Sequence, residues 1–150
     1  MQNNKGKKVK IDGRGMRIAI VLSCFHEKLG LEMLKNAQEE LKRHNVKNIR
    51  VYKVAGALEL PFACKKIIQK YKPNAIVALG IVIEGKTKHF DLVCETTYKG
   101  LMKVQLGNGI PIAFGVLACK TEKQAKERVS KKGLNKGMEA VQAVLIQTKI

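Results

Sequence analysis

A histidine follows a strongly apolar segment at a place where chemistry is expected. Residues Ala75–Ile83 form an uninterrupted apolar run, and the overlapping segment Gly80–Asp91 carries His89 shortly after Gly85. Such a run is typical of a fully buried strand. In a parallel α/β sheet, ligands bind outside the carboxyl ends of the strands. An imidazole there can accept and release a proton near neutral pH, so His89 predicts an enzyme with this turn in its active site.

The net charge of the chain narrows the range of its partners. The 150 residues include 29 Lys and Arg against 12 Asp and Glu, a formal charge of +17. Such an excess favours nucleic acid, a membrane surface or an anionic substrate. Only five basic residues are arginine, the lysines are spread over the whole chain, and 5% of the residues are aromatic. Because base reading prefers arginine and single-strand binding uses aromatic platforms, we expect nucleic acid to bind only adventitiously.

Length, amino terminus and cysteines predict one domain in a reducing compartment. A chain of 150 residues is long enough for one core and too short to expect two. The amino terminus has no apolar stretch behind its charges and no apolar run reaches membrane-spanning length, so we expect a cytoplasmic protein without a membrane partner. Four cysteines without a C-x-x-C pair are expected to be reduced core thiols rather than bridges or metal ligands: Cys24, Cys64, Cys94 and Cys119.

Strand and helix patterns alternate along the chain and predict the fold class. Strands are expected over 17–24, 49–54, 75–83 and 110–117, and helices over 28–44, from Pro61 to the break at Pro73, from His89 to about Leu106, from a Thr121 cap to about Ser130, and over 137–148. This order predicts an α/β, three-layer, doubly wound, flavodoxin-like fold, with a mainly parallel four-stranded sheet covered on both faces. Residues 15–150 form this domain. Residues 1–14 are a basic arm, in which 9–11 is a candidate for a short strand added to a neighbouring subunit.

Six motifs lie in order along the chain, most of them at the predicted carboxyl ends of strands. They are Cys24-Phe25-His26, the run from Ala55 to Pro61, the segment Gly80–Asp91, Ala113-Phe114-Gly115, Glu127-Arg128, and the run from Gly133 to Gly137. Single pieces of this kind occur by chance, whereas six in order and at family spacing are specific. From about Arg17 to Gln147, the chain resembles the 6,7-dimethyl-8-ribityllumazine synthase family.

The resemblance implies a reaction and an assembly. A ribitylaminouracil, 5-amino-6-(ribitylamino)uracil, would condense with a phosphorylated butanone, 3,4-dihydroxy-2-butanone 4-phosphate. Phosphate would be eliminated and the ring would close with loss of water, in the penultimate step of riboflavin synthesis. No metal and no organic cofactor are implied. Family members form homo-oligomers, either pentamers or larger decamers and icosahedral shells, with active sites between adjacent subunits. Whether the assembly stops at pentamers and whether it houses a riboflavin synthase are left open.

The resemblance also assigns the groups that act on the phosphorylated substrate. His89 would shuttle protons during Schiff-base formation and phosphate loss, the alternative being a helix-start histidine bound to backbone. Gly85, Lys86 and Thr87 would hold phosphate through backbone N–H groups and a hydroxyl at a helix amino end, where Thr87 would also serve as an ordinary cap. Arg128 is the only arginine in the last 100 residues. By family analogy it comes from the neighbouring subunit and grips the phosphate bidentately, which lysine cannot do.

The remaining assignments concern the pyrimidine side of the site. Phe25 would stack on the pyrimidine, although an aromatic residue at a strand end is more often part of a core. Glu59 would accept hydrogen bonds from ribityl hydroxyls. The alternative is a first-turn carboxylate that the helix dipole stabilises. Phe114 would close the pocket from the adjacent subunit or simply pack in a buried strand, and Lys136 would lie near the site or on ordinary solvated surface. Further substrate contacts are implied for Ala57, Leu58, Ile81, Val82 and Ile83.

The chain departs from the family pattern at four positions. His26 stands where asparagine is common, so a second imidazole would lie near the substrate. Leu58 replaces an aromatic residue and Ala55 replaces proline, which removes a flat wall and leaves the loop less rigid. Glu84 stands where many members have arginine. These changes put substrate affinity in question more than reaction type.

Two other functions remain open at this point. A charge of +17 per subunit, multiplied in a closed assembly, would attract polyanions strongly at low salt. A basic shell-forming or nucleic-acid-binding protein with this fold and without activity is therefore the main alternative. A related pyrimidine-condensing enzyme of the same pathway is a third candidate, distinguished by the pair of substrates that yields product.

Overall fold

The computed structural model describes residues 10–150, in which strands and helices alternate. The strands are β1 (Arg17–Ser23), β2 (Asn48–Val54), β3 (Ala75–Ile83) and β4 (Ile112–Cys119). The helices are α1 (Glu27–Arg43), α2 (Leu60–Tyr71), α3 (His89–Asn108), α4 (Glu122–Val129) and α5 (Lys136–Gln147), and a 3-10 turn at Ala57–Glu59 precedes α2. None of these helices is long and apolar enough to cross a membrane.

The four strands form one parallel sheet in the order β2-β1-β3-β4. The chain passes outward from β1 to β2, crosses back over β1 to β3, and continues to β4. The direction of winding therefore reverses between β1 and β3. This is the doubly wound, flavodoxin-like α/β arrangement that the alternation predicts, and it leaves a crevice at the carboxyl ends of those two strands.

Alternate residues of the strands enter two separate cores. In β1, Ile18, Ile20 and Leu22 contribute to the core that α1, α4 and α5 cover. Ala19 and Val21 contribute to the other core, which α2 and α3 cover. The first seven of the nine residues of β3 are buried, as its uninterrupted apolar sequence requires of a central strand. In the two central strands, polar side chains occur only at the ends of β1, so a site can form where these strands end.

The ends of the elements follow from the residues found there. Thr121 caps α4 by accepting a hydrogen bond from the Gln124 N–H at 3.1 Å, as the capping pattern predicts. The helix α3 runs two residues past its expected end and stops before Gly109, whose φ of 64° is the left-handed conformation common at helix C-termini. The strand β4 begins at Ile112 rather than 110, because Pro111 has no N–H to donate to the sheet.

The amino-terminal arm joins the domain through a buried histidine. The Ile11 N–H donates to His44 Nδ1 at 2.9 Å, and the Gly13 N–H donates to the His44 carbonyl at 2.7 Å. His44 is completely buried, and its Nε2 lies 2.9 Å from Glu40 Oε1. These bonds fix the arm against the carboxyl end of α1. Val9 lies outside the described residues, so the strand expected at 9–11 stays a prediction.

The four cysteines carry free thiols. Cys64 and Cys119 are buried and Cys94 is half-buried, and burial raises the pKa of the Cys64 thiol to about 12. Cys24 is exposed. The prediction that all four are core thiols is therefore wrong for Cys24, because this residue is the first one beyond the end of β1 and has left the buried part of the sheet.

Candidate active site

A cavity of about 490 Å³ opens at the carboxyl ends of β1 and β3, where the winding of the sheet reverses. Its walls come from the turn after β1, the 3-10 turn after β2, and the segment that joins β3 to α3. Ten of the residues predicted for the site line this one cavity: Phe25, Ala57, Leu58, Glu59, Ile81, Val82, Ile83, Gly85, Thr87 and His89.

His89 reaches the cavity at the start of α3. The Glu84 N–H donates to the Cys119 carbonyl at 2.9 Å, so the chain leaves the sheet just after β3 and has four residues in which to turn into the helix. The Thr87 hydroxyl accepts a hydrogen bond from the His89 N–H at 3.3 Å, but the N-cap of α3 is Lys88, so the prediction of Thr87 as the helix cap is wrong. The His89 side chain is exposed, and its ring forms no hydrogen bond with any residue in 10–150. The imidazole is thus available to a ligand.

Phe25 lies at the mouth of the cavity rather than in a core, with 65% of its surface exposed. Gly56 accounts for its position. A Cβ at Gly56 would lie 3.3 Å from two ring carbons of Phe25 and 3.1 Å from Glu59 Oε2. Glycine therefore lets the aromatic ring and the carboxylate both approach the same piece of backbone. The core alternative for Phe25 is wrong, and its ring is open to stacking.

His26 adopts a backbone conformation that suits other residues better. It is the N-cap of α1 with φ 58° and ψ 56°, in the left-handed region, and its side chain makes no capping hydrogen bond. Asn45 and Asn135 adopt the same conformation, which asparagine tolerates more easily. The asparagine common in the resembling family fits this position for the same reason. The side chain of His26 lines the cavity together with His89 and has no hydrogen-bond partner within residues 10–150.

A second cavity, of about 340 Å³, lies beside the edge strand β4. Phe114, Arg128 and Lys136 line it, and the two cavities have no lining residue in common. Within one chain, the structure therefore does not bring these three predicted site residues together with His89. His89 and Arg128 therefore belong to separate surfaces of the chain.

Two cations of the second cavity are held by neighbours on their own helices. Arg128 Nη1 donates to the Gln124 carbonyl at 3.2 Å. Burial raises the pKa of the Cys119 thiol and the positive charge of Arg128 opposes that rise, so Arg128 lies near the carboxyl end of β4. Lys136 Nζ lies 2.7 Å from Glu139 Oε2. Glu139 is absent from the predicted site, although its i+3 spacing from Lys136 on a helix is a signal for such a pair.

Phe114 both packs against its own chain and lines the second cavity. Its ring centroid is 6.0 Å from that of Tyr98, with the ring planes 39° apart. The Tyr98 hydroxyl donates to the Val116 carbonyl, and burial raises the pKa of that hydroxyl. Phe114 remains half-buried, so the two roles considered for it are compatible.

Lys86 lines neither cavity, although its neighbours Gly85 and Thr87 line the first. Three residues that line the first cavity are absent from the predicted contacts: Gly56, Phe90 and Val93. Helical spacing marks Phe90 and Val93 as an inward face, but it does not tell which part of that face borders a cavity. Across the described part of the chain, no three His, Cys, Asp or Glu side chains are grouped as metal ligands would be.

Comparison with known proteins identifies the family. The model of the 6,7-dimethyl-8-ribityllumazine synthase family matches residues 15–149. The 6,7-dimethyl-8-ribityllumazine synthase of Kosmotoga olearia is 43% identical over 135 residues, which cover 89% of this chain and 86% of that protein. The one from Thermococcus kodakarensis is 41% identical over 133 residues, 89% and 85% of the two chains, and the one from Desulfovibrio desulfuricans is 36% identical over 138 residues, 91% and 88%. The resemblance carried by the motifs is confirmed, and the chain belongs to the 6,7-dimethyl-8-ribityllumazine synthase family.

Proposed function

We propose that the chain is a lumazine synthase, a transferase of riboflavin biosynthesis that condenses 5-amino-6-(ribitylamino)uracil with 3,4-dihydroxy-2-butanone 4-phosphate and releases phosphate and water. The observation that carries the proposal is the cavity at the reversal of the sheet. It joins an imidazole that has no partner among residues 10–150, an exposed aromatic ring and a carboxylate in a volume of about 490 Å³. That volume is in the range of small-molecule sites.

The first cavity supplies the groups that the pyrimidine substrate needs. The open face of Phe25 stacks on the pyrimidine ring. Glu59 accepts hydrogen bonds from ribityl hydroxyls, and Gly56 keeps that carboxylate next to the aromatic ring. Backbone groups at Ala57–Leu58 and at 81–83 complete the contacts. His26 is an additional hydrogen-bonding group toward the same substrate, since its ring has no other partner in the described chain.

His89 moves the protons of the reaction. Attack of the substrate amine on the butanone carbonyl forms a Schiff base with loss of water. Removal of a proton from the adjacent carbon then expels phosphate and leaves an enol, which tautomerises to a ketone. The second amine attacks this carbonyl carbon, and the ring closes with loss of a second water. Each step transfers a proton at neutral pH, which suits an imidazole. The N–H groups and hydroxyl of Gly85–Thr87, at the amino end of α3, hold the phosphate until it leaves.

We propose that the second cavity is the other half of the site and belongs to a neighbouring subunit. Arg128 and Lys136 would then face the phosphate from across the interface, and Phe114 would close the pocket. Support comes from the separation of the two cavities in one chain and from the place of β4 at a free edge of the sheet. A contact that joins one surface to a different surface of the next copy forms a ring when the rotation between neighbours closes. The ring proposed here is a pentamer.

We further propose a cytoplasmic location. All four cysteines are free thiols, two of them buried, which supports a compartment that keeps thiols reduced.

The condensation, elimination and cyclisation require proton transfer and anion binding. In the proposed site, His89 transfers the protons, and Arg128 and Lys136 bind the anion.

The experiment is an assay of product fluorescence with the purified chain. We expect turnover that requires both substrates and falls by about 100-fold or more in His89→Ala. Glu84→Ala is the matched control, since Glu84 is exposed on the same turn and lines neither cavity. Folded, assembled protein without turnover would overturn the proposal, and product from a different pair of substrates would favour another pyrimidine-condensing enzyme.

A further inference from the structure

Positive charge is concentrated on one part of the fold. Residues 41–83, which include β2 and α2, contain nine Lys and Arg and a single acidic residue, Glu59. The remaining 107 residues contain 20 Lys and Arg and 11 acidic residues. Glu59 lines the first cavity. Away from that cavity, the lysines and arginines of residues 41–83 have no acidic residue from the same segment beside them.

The helix α2 shows this imbalance most clearly. Its inner face is apolar, and Lys65, Lys66 and Lys70 are exposed on the outside. None of the three forms an ion pair within residues 10–150. On α3 and α4, by contrast, Lys99 and Lys126 each pair with a glutamate four residues earlier. Every other helix with exposed lysines on its outer face has at least some glutamates among them, whereas α2 has no acidic residue at all.

Two arginines are fixed beside the carboxyl end of α2. The Cζ atoms of Arg17 and Arg50 lie 4.5 and 4.4 Å from the centroid of the Tyr71 ring. That ring is buried, and its hydroxyl donates to Asn48 Oδ1 at 2.6 Å. The two guanidinium groups are thus no farther apart than the sum of those distances, and neither has a carboxylate partner in the described chain. Two such charges repel each other, so an anion that touches both is favoured.

Lys72 adds a charge at a position that disfavours lysine. It is the C-cap of α2 with φ 51°, in the left-handed region. At the corresponding position of α3 the chain has Gly109, and Asn45 follows the end of α1 with φ 63°. Glycine and asparagine adopt this conformation with less strain. The lysine is therefore not explained by the local backbone, whereas its charge extends the same surface.

We propose that the basic face formed by Arg17, Arg50, Lys65, Lys66, Lys70 and Lys72 binds the phosphate backbone of single-stranded nucleic acid. Lys66 and Lys70, about 6 Å apart along the helix axis, and the arginine pair beyond them contact successive phosphates. Phe62 is 68% exposed with Lys66 Nζ 5.7 Å from its ring centroid, and it offers a base a surface for stacking. A membrane fits less well, because Phe62 is the only large apolar side chain exposed on α2. The inference does not depend on the proposed catalytic site.

The test compares two triple variants that remove the same charge from different places. One is Lys65→Gln, Lys66→Gln, Lys70→Gln. The control is Lys35→Gln, Lys103→Gln, Lys123→Gln, at exposed lysines that form no ion pair within residues 10–150. Fluorescence anisotropy of a labelled oligouridylate of about 20 nucleotides, titrated with the full chain between about 50 and 200 mM salt, gives affinity and its salt dependence.

The α2 triple is expected to weaken binding by about 10-fold or more and to make the slope of log affinity against log salt shallower by about 2, since each phosphate contact contributes about 0.7 on a single strand. The control triple is expected to stay within about threefold of wild type, and both are expected to keep lumazine-forming activity. Arg50→Lys, which keeps the charge and loses the planar fork, is expected to weaken binding several-fold. Equal losses in the two triples would assign binding to overall charge and overturn the inference. Stronger binding to duplex of the same length or to anionic phospholipid vesicles would overturn it as well.

Discussion

Subunits without His89 and subunits without Arg128 are expected to restore each other's activity when they share an assembly. In one chain the two residues line different cavities that have no lining residue in common. The shared site proposed above takes His89 from one subunit and Arg128 from the next. A His89→Ala subunit still supplies the arginine, and an Arg128→Ala subunit still supplies the imidazole. Each variant alone has no complete site.

The size of the recovery follows from the geometry. In a ring assembled at random from equal amounts, half of the subunits have an intact His89, and half of their neighbours have an intact Arg128. About one quarter of the sites are then complete, so turnover is expected at about 25% of wild type. The unmixed variants are expected to fall by about 100-fold or more. Because recovery depends on the product of the two fractions, it is largest at equal amounts.

The assay needs mixed rings of known composition. The two variants carry different affinity tags, are co-expressed or refolded together, and are purified on both tags before product fluorescence is followed. Rings assembled separately and combined without exchange are the control and are expected to stay inactive. Mixed rings that are no more active than the unmixed variants at any ratio would refute the shared site, since His89 and Arg128 would then not meet across a subunit contact.

Three further outcomes are expected from single substitutions. His26→Gly relieves left-handed strain and changes the free energy of unfolding by no more than about 1 kcal/mol, yet it raises KM for the ribitylaminouracil, whereas His26→Asn keeps KM near wild type. Gly100→Ala places a Cβ 2.7 Å from Cγ of Pro61, whose rigid ring cannot yield, so the free energy of unfolding in urea falls by about 1–3 kcal/mol. In Glu40 burial raises the carboxyl pKa, but hydrogen bonds from three neighbouring side chains outweigh it and hold the pKa below its ordinary value. Its stabilisation is therefore present above the unfolded pKa and lost as pH falls through the folded one, so Glu40→Gln has a smaller loss of stability than wild type between pH 6 and pH 3.

Each of these has a control. Gly107 lies in the same helix as Gly100 with nothing within 4 Å of an added Cβ, so Gly107→Ala is expected to stabilise by about 0.5–1 kcal/mol. Stabilisation by Gly100→Ala as well would contradict the packing described for it. Glu95 is exposed and paired with Lys99, so Glu95→Gln is expected to leave the pH dependence of unfolding nearly unchanged. An unchanged KM in His26→Gly would mean that this imidazole does not reach the substrate.

The sequence determined the fold and most of the first cavity. An uninterrupted apolar run at 75–83 is stable only as a central strand with helices on both faces, and the observed β3 has these bounds. Strands that alternate with helices leave few topologies, and the one observed follows from the right-handed connections between them. The motifs at strand ends then had to meet at one edge of the sheet. These inferences succeed because periodicity, capping and strand ends depend on neighbours in the chain.

The tertiary structure alone decided how the site and the charge are divided over the surface. It put His89 and Arg128 in different cavities, turned Phe25 outward against Gly56, and placed the backbone of His26 in the left-handed region. It also set Arg17 and Arg50 on one buried tyrosine. Each of these features depends on atoms from segments distant in the chain, or on torsion angles that residue type does not specify. Local patterns determine the elements, and the packing of those elements determines which of their side chains meet.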